Sequence, residues 1–304
     1  MTAIPHREED NGHSWRLSPV LAMDEHQFQQ WIALLEQRSG VHLPSERKSF
    51  LLTSLAMRMR KLGYGDYQSY YNYLLDSDHE SLEWEVLIDK LTVHETRFFR
   101  DHAALELIRD FLRQQKNPAR HDKFRLWSVG CATGEEPYSL AMLLDDHLSH
   151  TDHASRFHVT ATDISLLSLT AAMRGVYRHN RGSNMPEQFK ARYTNLYDKE
   201  HFQVKKSLRE HVSFAKFNLQ HLDKTAIQPK DVIICQNVLI YFKRQRRLAI
   251  LDNLVKHLRP GGLLILGAGE ITGWKNPAVQ SFIYPATLAF QRVDDGVTLE
   301  EQKI

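Results

Sequence analysis

The sequence predicts two domains in series: an all-helical domain, then an α/β domain on a mostly parallel seven-stranded sheet carrying a small inserted β-subdomain. Three observations predict this. Up to about residue 120 apolar side chains recur at helical spacing and nothing reads as strand. From residue 124 short apolar strands alternate with helices, and a polar stretch, 178–211, breaks that alternation.

Residues 1–20 are polar, contain Pro5, Gly12 and Pro19, and are expected to form a disordered arm. The helical domain is placed at 21–120. A first helix starts at Asp24, sets Phe28, Trp31, Ile32 and Leu35 on one face, and ends at Ser39-Gly40. A second has Ser45 as N-cap and stops at Gly63; shorter helices follow at Asp66–Leu75 and Ser81–Leu91.

The α/β domain is placed at 121–293. Its first strand, Phe124–Val129, ends in Gly130 and is followed by a helix over Glu136–His147. Strand Phe157–Thr162, helix Ser165–Met173, and strands Val212–Phe217 and Asp231–Cys235 come next. A helix over Phe242–Leu258 is stopped by Pro260-Gly261-Gly262 before strand Leu263–Leu266. The segments around Phe282–Tyr284 and Thr287–Arg292 are close enough to form an antiparallel pair, leaving 294–304 as a tail. The inserted stretch holds a helix at Pro186–Tyr193 and a short strand at Phe202–Lys205.

With 42% hydrophobic and 25% charged residues the composition is that of an ordinary globular protein, and a net charge of +2 gives no global field for nucleic acid. Two cysteines, Cys131 and Cys235, make no disulfide framework and suit a reducing cytoplasm; they read as small apolar fillers, although their oxidation would hinder ligand binding nearby. The amino terminus lacks the apolar core of a signal peptide, and no apolar run reaches the ~20 residues that span a bilayer. A membrane-embedded substrate would be met on its cytoplasmic part. His147, His150 and His153 lie in a polar stretch without a distant ligand pair, so they are read as a solvated loop and no metal is expected.

In an open parallel sheet the ligand sits beyond the carboxyl ends of the strands. After the first strand the chain runs Gly130-Cys131-Ala132-Thr133-Gly134-Glu135-Glu136-Pro137-Tyr138-Ser139. The glycines allow a tight turn and close approach to a ligand, and two glutamates open the next helix. Carboxylates there would repel a pyrophosphate and attract a cationic sulfonium or ammonium, which favours S-adenosylmethionine over a nicotinamide cofactor. Asp163 ends the second strand, where a carboxylate can accept from both ribose hydroxyls; the bland alternative is a helix N-cap.

From about Asp24 to Arg292 the chain resembles the chemotaxis receptor glutamate O-methyltransferases (CheR-type). The resemblance is carried by four motifs in order: Leu91-Thr92-Val93-His94-Glu95-Thr96-Arg97-Phe98-Phe99-Arg100; Gly134-Glu135-Glu136-Pro137-Tyr138-Ser139; Asn237-Val238-Leu239-Ile240-Tyr241-Phe242; and Leu258-Arg259-Pro260-Gly261-Gly262. It implies a Rossmann-like S-adenosylmethionine-dependent methyltransferase domain that esterifies receptor glutamates. It also implies that Thr96 and Arg100 contact the methionine end, Glu136 the α-amino group and Asp163 the ribose. Asn218 and Leu219 match adenine contacts, Asn237 a further cofactor contact, and Tyr241 faces the transferring methyl. Gly130, His94 and Gln236 complete the cofactor set; His94 stands where the family commonly has Asn, and Gln236 where it commonly has Arg. Arg100 and Tyr241 are the candidate catalytic pair. Phe98 and Phe99 are expected in the core.

The second helix carries Arg47, Lys48, Arg58, Arg60 and Lys61 against the single acid Glu46. In the family this helix faces the receptor, and Arg47, Arg58 and Lys61 are taken as substrate-facing; the bland alternative is a solvated face. Family members that tether to a receptor's C-terminal peptide carry a glycine-containing β-loop in the inserted subdomain. Here Tyr193-Thr194-Asn195-Leu196-Tyr197-Asp198-Lys199 has no glycine, so no tethering peptide is expected, and the protein is expected to be a monomer. Two rival functions are a cofactor-sensing module without turnover and a small-molecule carboxyl methyltransferase.

Overall fold

The computed structural model describes residues 22–77, 81–92, 95–114, 123–148, 157–225 and 227–293. Five helices precede the first strand: α1 (Glu25–Ser39), α2 (Lys48–Leu62), α3 (Tyr67–Asp76) and α4 (Leu82–Leu91) share one apolar core, whereas α5 (His102–Gln114) packs into the core of the α/β part. Local sequence sets their ends. Asp24 caps α1 in a reciprocal box with Gln27, and Gly40 ends it at φ 77°. Asp66 and Ser81 cap α3 and α4, and Gly63 closes α2. The expected cap at Ser45 does not form: α2 is entered through a single 3-10 turn, Ser45–Arg47, without a side-chain cap. Among the described residues no helix is long and apolar enough to cross a membrane.

The α/β part runs β1 (Phe124–Val129), α6 (Glu135–Leu148), β2 (Phe157–Asp163), α7 (Leu166–Arg174), β3 (Val176–Arg178), α8 (Glu187–Tyr193), β4 (Thr194–Leu196), β5 (His201–Val204), α9 (Lys206–Arg209), β6 (Val212–Lys216), β7 (Lys230–Cys235), α10 (Arg244–Lys256), β8 (Leu258–Leu266), β9 (Val279–Tyr284) and β10 (Thr287–Arg292). The main sheet has seven strands in the order β6-β2-β1-β7-β8-β10-β9. The first five are parallel, and β10 runs antiparallel to both its neighbours. The chain grows outward from β1 through β2 to β6, then returns to β7 on the other side of β1. That reversal opens a crevice above the ends of β1 and β7. The apolar residues of β1 serve both faces: Leu126 joins the core under α5 and α6, and Trp127 the core under α10. The strand expected at Leu263–Leu266 starts earlier, at Leu258, because the Pro260-Gly261-Gly262 turn is absorbed as a bulge between the pairs Lys230↔Leu258 and Val232↔Leu263.

The polar interruption is a three-stranded antiparallel sheet, β3-β5-β4, which begins at Val176 rather than at 178. Its residues Tyr177 and Phe202 pack around Phe98, at centroid distances of 4.9 and 5.5 Å. The helical domain rests on loops at the carboxyl end of the main sheet. Asn218 Nδ2 donates to Arg38 O at 3.1 Å, His42 N donates to Tyr241 O at 2.7 Å, and Ser165 Oγ donates to Asp89 at 2.7 Å. Ion pairs join Lys243 to Glu36 at 2.8 Å and Lys216 to Glu85.

Candidate functional site

Two adjoining hollows lie above the ends of β1, β2 and β7, and share Gly130, Ala132 and Asn237. The larger, about 370 Å³, is polar; Thr96, Arg100, Asp101, Glu136 and Gln236 face it. The smaller is a slot between Ile164, Phe217, Leu219, Val238 and Tyr241, with Asp163 and Asn218 at its wall. Together they suit a ligand with a charged amino-acid end and a flat, weakly polar ring end.

The turn after β1 is built for close approach. Gly130 and Ala132 have φ of 71° and 47°, and a Cβ on Gly130 would stand 2.2 Å from Val238 Cγ2. Asp163 Oδ2 accepts from Ala132 N at 2.8 Å and Oδ1 from Ser165 N at 2.9 Å, so this carboxylate fixes the loop it faces. The N-cap of α7 is Ser165, not Asp163. Each carboxylate oxygen of Asp163 has a second lone pair for a ribose hydroxyl.

Glu136, half-buried at the mouth of α6, accepts from Ser128 Oγ at 2.7 Å. Its carboxyl is pushed up to about 7, first by burial and then by the neighbouring Asp101 and Glu270 carboxylates, while the Ser128 hydrogen bond and Arg100 pull it down. Glu136 and Asp101 line the same hollow, and this acidic lining fits the ammonium end of S-adenosylmethionine to the site. Gln236 Nε2 donates to Asp101 Oδ2 at 2.8 Å and so turns its donor to the same acidic group. Glu135, by contrast, points away, pairing with Thr133 Oγ1 at 2.6 Å and Arg181 at 3.8 Å. Burial raises its carboxyl too. Cys131 and Cys235 are buried, and their thiols lie well above the ordinary range because of that burial.

Arg100 is exposed at the rim, with Nη1 donating to Glu95 O at 2.7 Å and its other donors available to the cleft. Thr96, in the same hollow, is buried. Phe98 and Phe99 are core residues, as expected from the sequence. Tyr241 is half-buried at the far rim, its phenol raised by burial, and the Arg47 guanidinium stands 5.9 Å from its ring centroid. Asn218 lines the slot, but its side chain is committed: Oδ1 accepts from Gln220 N and Nδ2 holds Arg38 O. His94 lies outside the described residues, as do His150 and His153, the arm 1–20 and the tail 294–304.

One candidate is displaced: Arg58, expected to face a substrate, is buried and paired with Glu83. Arg60 and Lys61 are exposed on α2, and Arg47 is exposed on the 3-10 turn that leads into it. Sequence reading missed Asp101, Arg181 and Glu270. Asp101 had a local signal, since it caps α5 by accepting from Ala104 N at 3.0 Å. Arg181 and Glu270 meet their partners only through the fold.

Residues 94–284 match the family model described as CheR methyltransferase, SAM binding domain, and residues 26–92 match CheR methyltransferase, all-alpha domain. A chemotaxis protein methyltransferase of Escherichia coli K12 is 36% identical over 84% of this chain and 87% of its own length. One of Borreliella burgdorferi is 30% identical over 91% of this chain and 98% of its own. Chemotaxis protein methyltransferase 2 of Pseudomonas aeruginosa is 32% identical over 83% of this chain and 91% of its own.

Proposed function

The chain belongs to the CheR methyltransferase family, and on that premise we propose that it esterifies glutamate side chains of chemoreceptors with S-adenosylmethionine, using Arg100 and Tyr241 at the reaction centre. The observation that carries this reading is a pair of adjoining hollows, one lined by Glu136 and Arg100 and the other by Asp163 and Tyr241, that meet at Gly130, Ala132 and Asn237. Glutamate has a pKa of ~4.3 and is already ionised at neutral pH, so no general base is needed.

When bound, S-adenosylmethionine supplies an electrophilic methyl group on its sulfonium. Glu136 holds the α-ammonium and Asp163 the ribose hydroxyls, while Leu219, Phe217 and Val238 take the ring. Thr96, Gln236 and Asn237 complete the polar wall. Arg100 orients the incoming carboxylate through its free N–H groups without neutralising it as a nucleophile. Tyr241 closes the opposite side with an aromatic wall and keeps water out. Alignment of this kind can lower a barrier by ~7–11 kcal/mol.

The receptor approaches along α2. Arg60 and Lys61 are exposed there, as is Arg47 on the turn that leads into it, and Arg47 stands over the Tyr241 ring, which links this helix to the cleft mouth. A basic face suits glutamate-rich receptor helices. Binding proceeds without a C-terminal tethering peptide. The β4–β5 turn is short, closed by Tyr197 N and Asp198 N donating to His201 O, and has no glycine to widen it. The protein works as a monomer in the cytoplasm, where the substrate helices lie.

Purified protein, labelled cofactor and a receptor cytoplasmic fragment test the reading. Base-labile label on receptor glutamates is the expected result; no label on any chemoreceptor of the source organism would refute it.

A further inference from the structure

The strands β7 and β8 end side by side, Cys235 opposite Leu266, and each then leaves the sheet through a turn lining the cleft. The backbone N–H groups of these turns have no ladder partner. A buried carboxylate, Glu270, supplies one to both. Its Oε1 accepts from Val238 N at 2.7 Å and Leu239 N at 2.9 Å, and its Oε2 accepts from Gly267 N at 2.8 Å. Glu270 is 2% exposed and carries no cationic side-chain partner among the described residues.

The geometry receiving it is specific. Asn237 is left-handed, at φ 60°, and Val238 follows at φ −116°, ψ −47°. Successive residues of opposite hand turn their N–H groups to one side and make a concavity for an anion. Glu270 is that anion, built into the chain. A Cβ on Gly267 would come within 2.6 Å of Glu270 Oε2, so the facing turn needs glycine there. From outside, Arg247 completes the clasp: its guanidinium donates to Phe242 O at 2.6 Å, Glu270 O at 3.1 Å and Ile240 O at 3.3 Å. The segment held between carboxylate and guanidinium carries Asn237 at one end and Tyr241 at the other.

We propose that Glu270 is a positioning residue for methyl transfer, fixing the Asn237–Tyr241 turn so that Tyr241 faces the methyl and Asn237 the cofactor. It touches neither reactant. The proposal rests on the role given above to Tyr241, and the variants below separate the two.

Glu270→Gln keeps one acceptor oxygen but sets an amide donor against the third N–H. It is measured beside Tyr241→Phe and the double variant, with labelled cofactor and receptor fragment for rates and S-adenosylhomocysteine calorimetry for binding. A misplacement of about 1 Å in such a site costs on the order of 100-fold in rate. The expected result for Glu270→Gln is a kcat loss of that order with an unchanged receptor KM and unchanged far-ultraviolet circular dichroism. Adding Tyr241→Phe should then cost less than about twofold more, because a misplaced ring has little left to lose. Independent, multiplying effects, or Glu270→Gln with wild-type kcat and wild-type affinity, overturn the proposal. If Tyr241→Phe alone runs at the wild-type rate, the role of Tyr241 falls; Glu270 is then judged by its hold on Asn237. About tenfold weaker S-adenosylhomocysteine binding in Glu270→Gln keeps it, and unchanged binding removes it. Should Glu270→Gln fail to fold, Gly267→Ala crowds the same carboxylate with its side chain intact. It should show the same kinetic signature, and wild-type kinetics there overturn the proposal equally.

Discussion

Arg58 of α2 donates from Nε to Glu83 Oε1 of α4 at 2.9 Å, and the Tyr70 hydroxyl of α3 donates to the same oxygen. One carboxylate thus joins three helices inside the helical domain. The pair keeps Arg58 charged, since the Glu83 hydrogen bond holds its guanidinium above the ordinary range.

Removing one partner of a buried ion pair leaves the other uncompensated, at a cost of ~3–5 kcal/mol. Arg58→Ala is therefore expected to lower the stability of the helical domain by that amount, read by urea unfolding. Its receptor KM, measured on the folded fraction, should stay near wild type.

The exposed residues of α2 should behave in the opposite way. Charge reversal at Arg60 and Lys61 is expected to change stability by less than ~0.5 kcal/mol. It should raise receptor KM several-fold, with an effect that shrinks as salt shortens the Debye length from about 10 Å at 0.1 M. Unchanged KM at low salt would remove α2 from the receptor surface.

Glu136→Gln tests the ammonium site. A hydrogen bond to a charged group contributes ~1.5–3 kcal/mol, so S-adenosylhomocysteine should bind about 10- to 150-fold more weakly by calorimetry. Thermal stability of the empty protein should not fall, because the substitution removes a carboxylate crowded by Asp101 and Glu270.

That carboxyl also fixes a pH dependence. Its value in the empty folded protein is about 7, above the 4.5 it has when unfolded. Between those values the folded state binds more protons than the unfolded one, so this group makes stability decline as pH rises from about 4.5 to about 7. Ligand affinity runs the other way. The ammonium needs the ionised carboxylate, so affinity should rise about tenfold per unit below pH 7 and level off above it. Calorimetry from pH 5.5 to 8.5 checks the slope, and Glu136→Gln should flatten it.

Gly130→Ala places a methyl 2.2 Å from Val238 Cγ2 and forces a side chain into φ 71°. The left-handed backbone alone costs ~1–2 kcal/mol. The expected outcome is a lower melting temperature together with loss of S-adenosylhomocysteine binding.

Much of this was legible in the chain because the signals were local. Asp24 with Gln27, Gly40, Gly63, Asp66 and Ser81 punctuate the helices as their chemistry demands. The apolar runs Phe124–Val129 and Asp231–Cys235 are central strands covered on both faces. The burial of Arg58 was also readable, since Leu51, Leu55, Arg58 and Met59 share one helical face; counting charge on the helix hid its phase. Glu270 had no such signal. Its partners at Val238 and Leu239 are more than thirty positions earlier and arrive only because β7 and β8 pair in register.

Arg181 shows where engineering would meet resistance. It donates to Thr96 O at 2.6 Å and accepts from Phe98 N at 3.2 Å, while Tyr177 donates to Thr133 O at 2.7 Å. The β-insert is therefore wired both to the loop before α5 and to the turn after β1, which border the larger hollow. Grafting in a relative's insert would swap those tethers along with any peptide-docking property. A viable chimaera has to carry Tyr177, Arg181, Phe98 and their seats across as one block.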